Sequence, residues 1–263
     1  MSGLGTDLRI SLLGPITASA AGGPVYLGPV KQREILAVLA LRRRSVVSVQ
    51  QVAGDLWGDD PPMSAANLVH TYIGRLRRLL GEHAVLHSHR PGYQLAVTGE
   101  QVDATVFERH LARGRTALLA GGPDSAQAAF AAALALWTGP RPLDGASGPL
   151  AAAERARLAE LRLDASESLA AVRLARGDHA GLVAELRSLV AGNPLRERLW
   201  ALLLTALAYA SRRAEALAAF HEVRALLSDR LGVDPSGELT GIYHSLLHDT
   251  RPPPPIPSLA RVV

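Results

Sequence analysis

Hydrophobic and polar positions change their period several times along the chain, and each change marks an element. Leu8-Arg9-Ile10-Ser11-Leu12 alternates at period two, the pattern of a strand with one buried face. Gly14-Pro15 turns it, Ile16-Thr17-Ala18 offers a second strand, and Gly22-Gly23-Pro24 turns into a third at Val25-Tyr26-Leu27. From Pro29 to Leu41 the period becomes helical, with Val30, Ile35, Leu36, Val38 and Leu39 on the inner side. Arg42, Arg43 and Arg44 follow, where cations complement a helix C-terminus as well as they would meet a polyanion. Val46-Val47 supplies a strand pair. Ser48 and Gln51 then make a capping box for a short helix whose buried stripe is Val49, Val52, Leu56 and Trp57. Gly58-Asp59-Asp60-Pro61-Pro62 breaks it, and Ser64 can cap the next helix.

That next helix, Asn67 to Gly81, has two unlike sides. Leu68, Val69, Tyr72, Ile73, Leu76, Leu79 and Leu80 form one broad apolar arc; Asn67, His70, Thr71, Gly74 and Arg78 point the other way, with Arg75 and Arg77 bordering them. One side is built to sit on a core. The other carries three guanidiniums, two hydrogen-bonding side chains and an imidazole, without a carboxylate. A solvated charged face explains some of this, but such a surface also suits an anion with readable edges, since Arg pairs with phosphate or lies bidentate on guanine. Val85 to His89 and Tyr93 to Val97 then form a hairpin around Arg90-Pro91-Gly92, with a basic tip. Strands, helix, short helix, long basic-faced helix and basic hairpin predict a winged helix-turn-helix, its third helix entering the major groove and its wing reaching the adjacent backbone or minor groove.

Beyond Thr98 the pattern is helical throughout. Residues 1–97 are expected to form the winged helix, 98–103 a linker, 104–250 an all-α domain of helical hairpins, and 251–263, with its four consecutive prolines, a flexible tail. The fold class is mainly α with small β elements. Seven helices are predicted: one from Val102 to about Ala120, Pro123 to Trp137, a long one from about Pro149 to Ala175, and four more starting near Asp178, Pro194, Arg212 and Pro235. A Gly- and Pro-rich loop, Thr138 to Pro149, precedes the long one. Small residues followed by a large one at i+4 recur in Ser125–Leu134, His179–Leu186 and Ala214–Val223. The last two begin 35 residues apart, near the tetratricopeptide period, although Ala-rich helices also resemble one another by composition.

Charge sharpens this division. Residues 1–97 hold ten Lys or Arg against six Asp or Glu, and residues 98–250 sixteen against eighteen, so the basicity belongs to the front part. The absence of Cys removes disulfides and thiolate metal sites. The longest apolar run, Leu199 to Ala210, is interrupted by Thr205 and too short to span a bilayer, so a cytoplasmic protein without a membrane partner is expected.

The N-terminal strands, Val52-Ala-Gly-Asp-Leu-Trp-Gly58, Ile73-Gly-Arg-Leu-Arg-Arg-Leu79 and Arg90-Pro-Gly-Tyr93 resemble the OmpR/PhoB-type winged helix. Ala133-Leu-Ala-Leu-Trp-Thr-Gly139, Arg157-Leu-Ala-Glu-Leu-Arg-Leu163, Asn193-Pro-Leu-Arg-Glu-Arg-Leu199 and Leu231-Gly-Val-Asp-Pro-Ser-Gly-Glu-Leu239 look like successive landmarks of the bacterial transcriptional activator domain. Their ordered combination resembles the antibiotic-regulatory transcriptional activators known as SARPs. The resemblance implies a DNA-binding activator of a secondary-metabolite gene cluster, dimeric on tandem repeats and recruiting RNA polymerase. It implies that Arg75 reads base edges, Thr71 faces a thymine methyl and the Trp57 indole N–H donates to phosphate. Asn67, His70, Gly74, Arg77 and Arg78 complete the expected DNA-binding set on the helix. Related wings carry Arg three residues before the Gly-Tyr, where this chain has His89 followed by Arg90. Either Arg90 swings into the groove or wing readout is weak and pH-sensitive.

Other chemistry finds little support. His83, His87 and His89 have no thiolate or acidic ligand at useful spacing, Gly145-Ala-Ser-Gly148 is one residue short of a nucleophile elbow, and Gly121-Gly122-Pro123 lacks a phosphate-loop ending. No catalytic, metal or cofactor site is expected. The competing function is a protein-interaction scaffold built on the helical array, with no specific DNA readout.

Overall fold

The structure is a computed structural model that describes residues 7–20, 23–81 and 85–252. It divides into two compact units, one of Met1–Ala112 with Ala132–Arg162, the other of Arg113–Ala131 with Leu163–Val263.

The first unit opens with β1 (Arg9–Ser11), β2 (Thr17–Ala20) and β3 (Gly23–Val25), an antiparallel sheet in chain order with Ile10 opposite Ala18 and Ser19 opposite Pro24. The third strand starts earlier than predicted: Gly23 and Pro24, read as turn residues, lie in it, and Gly22 is outside the described residues. Helix α1 (Val30–Leu41) follows, then β4 (Val47–Ser48), α2 (Val49–Trp57), α3 (Ala65–Leu80), β5 (Val85–His89) and β6 (Gly92–Ala96), with β6 between β4 and β5 in a second antiparallel sheet. The predicted order of elements holds.

Helix α1 is more enclosed than a one-sided amphipathic helix. Gln32, Glu34 and every residue from Ile35 to Ala40 are buried, whereas Val30, expected inside, is 38% exposed. The reason is that α2, α3 and β6 all pack on it. Helix α2 begins as predicted, with the Gln51 N–H donating to Ser48 Oγ at 3.0 Å and the Ser48 N–H to Gln51 Oε1 at 2.9 Å. Its buried residues are Val52, Ala53 and Leu56, leaving Val49 and Trp57 half-buried. Ser64 occupies the N-cap of α3 but its side chain makes no capping bond. At the other end Gly81, with φ of +52°, turns the chain out of α3.

Thr98 to Asp103, read as a linker, is fastened to the first sheet. Gly99–Gln101 is a 3-10 turn, Val102 bridges Ile10 in parallel, and the Asp103 carboxylate accepts the N–H groups of Leu12 at 2.7 Å, Leu13 at 3.2 Å and Ala104 at 2.7 Å. Burial pushes the Asp103 carboxyl above the usual aspartate range, and those amides draw it back. Asp103 also starts α4 (Asp103–Leu119), followed by α5 (Pro123–Ala135) and α6 (Pro149–Ala175). The division between the units falls within these three helices. The loop between α5 and α6 belongs to the first unit and runs along its sheet edge: Thr138 N–H donates to Leu13 O at 3.1 Å, Leu143 N–H to Leu12 O at 2.8 Å and Asp144 N–H to Gly14 O at 3.0 Å. Trp137 lies just past α5, edge-on to Phe107 at 5.4 Å.

The second unit is helical throughout its described residues. Helices α7 (Ala180–Gly192), α8 (Glu197–Tyr209), α9 (Arg213–Leu231) and α10 (Gly237–Leu247) begin within three residues of their expected starts. Helix α8 is its centre: every residue from Leu199 to Leu207 is buried, because α7, α9 and α10 all pack against it. Ala216 and Ala219 let α9 approach closely, and a Cβ on Gly114 of α4 would overlap the Phe130 ring of α5. A charged lock joins the start of α8 to α6. Arg196 Nε donates to Glu167 Oε1 at 2.7 Å and Arg196 Nη2 to Asp164 Oδ1 at 2.6 Å, with Glu167 only 3% exposed. The tail begins tethered, since the Tyr209 hydroxyl donates to Pro252 O at 3.0 Å; residues 253–263 lie outside the described residues. No helix among the described residues is long and apolar enough to cross a membrane.

Candidate nucleic-acid interface

The two sides of α3 separate as its sequence pattern requires. Ala65, Val69, Ile73, Leu76 and Leu80 are buried against α1 and α2, while Asn67, His70, Thr71, Arg75 and Arg78 are exposed and Gly74 is half-exposed between them. The apolar arc is narrower than predicted. Leu68 and Tyr72 are half-buried, and Leu79 is 39% exposed, because it lies about 100° of helix rotation from Leu80 and off the inner stripe.

Two of the expected nucleic-acid residues are turned to the protein's own hairpin. Arg77 donates to Leu86 O through Nε at 3.0 Å and Nη2 at 2.7 Å and to Ser88 Oγ at 2.7 Å, and its guanidinium lies 5.6 Å from the Tyr93 ring centroid. His70 Nδ1 shares a 2.5 Å hydrogen bond with the Tyr93 hydroxyl. These side chains set the hairpin's angle to α3. Tyr93→Phe is therefore expected to lower stability by about 0.5–1.5 kcal/mol, read as a shift of the denaturation midpoint at constant slope, together with faster amide exchange in β5 and β6. An unchanged midpoint would show that the His70 contact contributes nothing.

The remaining helix residues face outward. Thr71 Oγ1 donates to Asn67 O at 2.8 Å, so the hydroxyl is occupied by the helix backbone and the methyl is left to face out. A Cβ on Gly74 would meet nothing within 4 Å, so packing does not require glycine there, although glycine costs about 1 kcal/mol in a helix interior. Arg75 lies 5.9 Å from the Tyr72 ring centroid, and neither Arg75 nor Arg78 pairs with a carboxylate among the described residues. At the hairpin tip His89 and Arg90 are exposed. Gly92 is required by a close approach, because a Cβ there would collide with the Val47 carbonyl of β4. His87 and His89 have ring centroids 6.0 Å apart, His83 is outside the described residues, and no group of metal-ligating side chains occurs among those described.

Trp57 is half-buried at the end of α2, with Lys31 Nζ 6.0 Å from its ring. The residues that hold this corner escape a reading by periodicity. Lys31 Nζ donates to Glu34 Oε2 at 2.7 Å and to Leu56 O at 3.0 Å, while Glu34, 3% exposed, accepts the Ser147 N–H at 2.5 Å. Gly148 sits so close to α2 that a Cβ would come within 2.5 Å of Asp55 O. A carboxylate on the apolar side of α1 was the only sign. Arg42, of the basic triplet, is engaged by Asp55 at 2.9 Å, and burial raises the Asp55 carboxyl against the pull of that guanidinium. The outcome is a braced helix whose outer face bears exposed amide and guanidinium groups, the chemistry that suits an anion.

Both parts of the chain are similar to known proteins. Residues 102–247 match the bacterial transcriptional activator domain, and residues 23–95 match the C-terminal domain of transcriptional regulatory proteins. The regulatory protein DnrI of Streptomyces peucetius is 36% identical over 97% of this chain and 99% of its own length. The regulatory protein AfsR of Streptomyces griseus is 36% identical over 91% of this chain, which spans only 24% of AfsR. The solved structure of Mycobacterium tuberculosis EmbR in complex with a low-affinity phosphopeptide superposes with a TM-score of 0.87 at 32% identity, covering 93% of this chain and 66% of that one.

Proposed function

The chain belongs to the SARP family of antibiotic-regulatory transcriptional activators, which are regulators and not enzymes, and from that premise we propose that it reads duplex DNA through α3 and the β5–β6 hairpin. In this reading residues 1–97 dock on the duplex and 104–250 form the activator part. Arg75 pairs with a base edge, the outward methyl of Thr71 meets a thymine methyl, and Asn67 hydrogen-bonds a neighbouring base. Gly74 lets the groove wall come close. Arg78 and the Trp57 indole hold phosphates, and His89 and Arg90 reach the adjacent backbone or minor groove. His70 and Arg77 serve chiefly by fixing the hairpin relative to α3.

The observation that carries this is the row of exposed donors and cations on α3 over a stripe buried to 1% or less at Val69, Ile73, Leu76 and Leu80, so that one face alone is presented. The protein would act in the cytoplasm, as a dimer on tandem repeats near the promoter of a secondary-metabolite cluster, and recruit RNA polymerase. Selection of bound duplexes from a random pool, followed by salt titration of the winner and a scrambled duplex, tests the reading. Affinity for both is expected to fall steeply, with a log–log slope near −0.9 for each phosphate neutralised, while the winner keeps its preference. A protein that served only as a helical scaffold would enrich no sequence.

A further inference from the structure

Beside the outward face of α3 the first unit contains a cleft that DNA reading does not use up. It has a volume of about 320 Å³ and is lined by Tyr26, Pro29, Gln32, Arg75, Arg78 and Leu79, with Gly28 at its edge. Pockets for small organic molecules begin at about 300 Å³. Its chemistry is divided by side. Arg75 and Arg78, one helical turn apart on α3, supply two guanidiniums. Tyr26, 77% exposed, contributes a large ring with little packed on it, and Pro29 and the 39% exposed Leu79 add apolar surface. Gln32 is 1% exposed; its Nε2 donates to Leu27 O at 2.8 Å, and its Oε1 has no hydrogen-bond partner among the described residues. A buried acceptor without a donor is uncommon; it lies just beneath the cleft at Gly28, and a small turn of the amide toward the cleft would let a hydroxyl or N–H of a bound molecule satisfy it.

A backbone phosphate would need only the guanidiniums at the rim. It would leave the ring, the apolar walls and the amide oxygen unused. We propose that the cleft binds a small planar aryl carboxylic acid bearing a hydrogen-bond donor, the carboxylate on Arg75 and Arg78, the ring against Tyr26 and the donor toward Gln32. Its occupancy withdraws both arginines from a duplex, a consequence that rests on the DNA reading above, whereas the binding itself does not.

The test uses the full chain with 6-hydroxy-2-naphthoate as probe, followed by calorimetry. Saturable one-site binding is expected, weakened about tenfold or more by Tyr26→Ala and by Arg78→Gln and lost for the neutral 6-hydroxy-2-naphthamide. Absence of saturable binding, or affinity unchanged in Tyr26→Ala, overturns the site, and displacement of the probe by equimolar inorganic sulfate shows a bare anion seat and overturns it equally. In a second arm, saturating probe is expected to weaken binding of the selected duplex at least about fivefold in the wild type and not in Tyr26→Ala, which keeps its duplex affinity. Unchanged duplex affinity with the cleft occupied overturns the competition. Probe binding with the expected variant pattern, in a protein that binds no duplex, leaves the cleft standing and sinks the DNA reading instead.

Discussion

Arg75→Ala is expected to flatten the sequence preference while leaving the protein folded. Its side chain is exposed on α3 and bonded to no carboxylate among the described residues, so its removal disturbs no core contact. If the guanidinium lies bidentate on a base edge, its loss should cost about 1–3 kcal/mol at one base pair of the selected duplex. Binding to scrambled duplex should weaken far less, and substitution of the base pair that Arg75 reads should no longer matter. Competition binding against a panel of single-site duplex variants measures this. Equal weakening on selected and scrambled duplex would mean that Arg75 touches only phosphate. Arg78→Ala is the internal comparison: it should weaken all duplexes alike and reduce the salt slope by about one contact.

Arg196→Ala is expected to have the largest effect on stability. Glu167 is 3% exposed and its partner Arg196 carries both it and Asp164, so truncation leaves one carboxylate buried without its hydrogen-bonded cation, only the charge of Arg198 remaining to oppose the burial. Breaking a buried pair from one side costs about 3–5 kcal/mol. Burial already holds the Glu167 carboxyl above the usual glutamate range, against the hydrogen bond and charge of Arg196, which pull it down. A folded-state value raised above the unfolded one means that the folded protein binds the extra proton. Stability from this group is therefore complete below the unfolded value and declines as pH rises through the folded one. Arg196→Ala removes the downward pull, so the loss should be small at acid pH and grow toward neutrality in urea titrations. Arg196→Met with Glu167→Leu should recover most of the stability, because an apolar pair of similar size replaces the charges without a desolvation penalty. A variant equally destabilised at every pH would point to lost packing of the arginine stem instead.

Local pattern was sufficient for much of this fold, and the residues show why. The Ser48–Gln51 capping box, the buried line through Val69, Ile73, Leu76 and Leu80, and the seven rear helices depend on neighbours within a few positions in sequence. What periodicity missed depends on distant partners. Nothing near Glu34 indicates that its carboxylate will meet Ser147, and nothing near Asp103 indicates Leu12 and Leu13. Arg77 was legible as a cation on a helix border, but its engagement by Leu86 O and Ser88 required the hairpin to be in place. The exposed donors on α3 were legible in full, since a helix face follows from 3.6 residues per turn. The cleft under Tyr26 was not, since it is made by residues some fifty positions apart.

The seating of Ser147 and Gly148 on α1 and α2 bears on how the molecule can be dissected. A fragment severed after Val97 would retain every residue proposed to touch a duplex, yet it would uncover the sheet edge at Leu12 and Leu13, both 0% exposed in the whole chain, and strip Asp103 and Ser147 from their partners. The proposed recognition surface is thus buttressed by segments more than a hundred positions downstream, and a self-sufficient front piece must carry those later residues along.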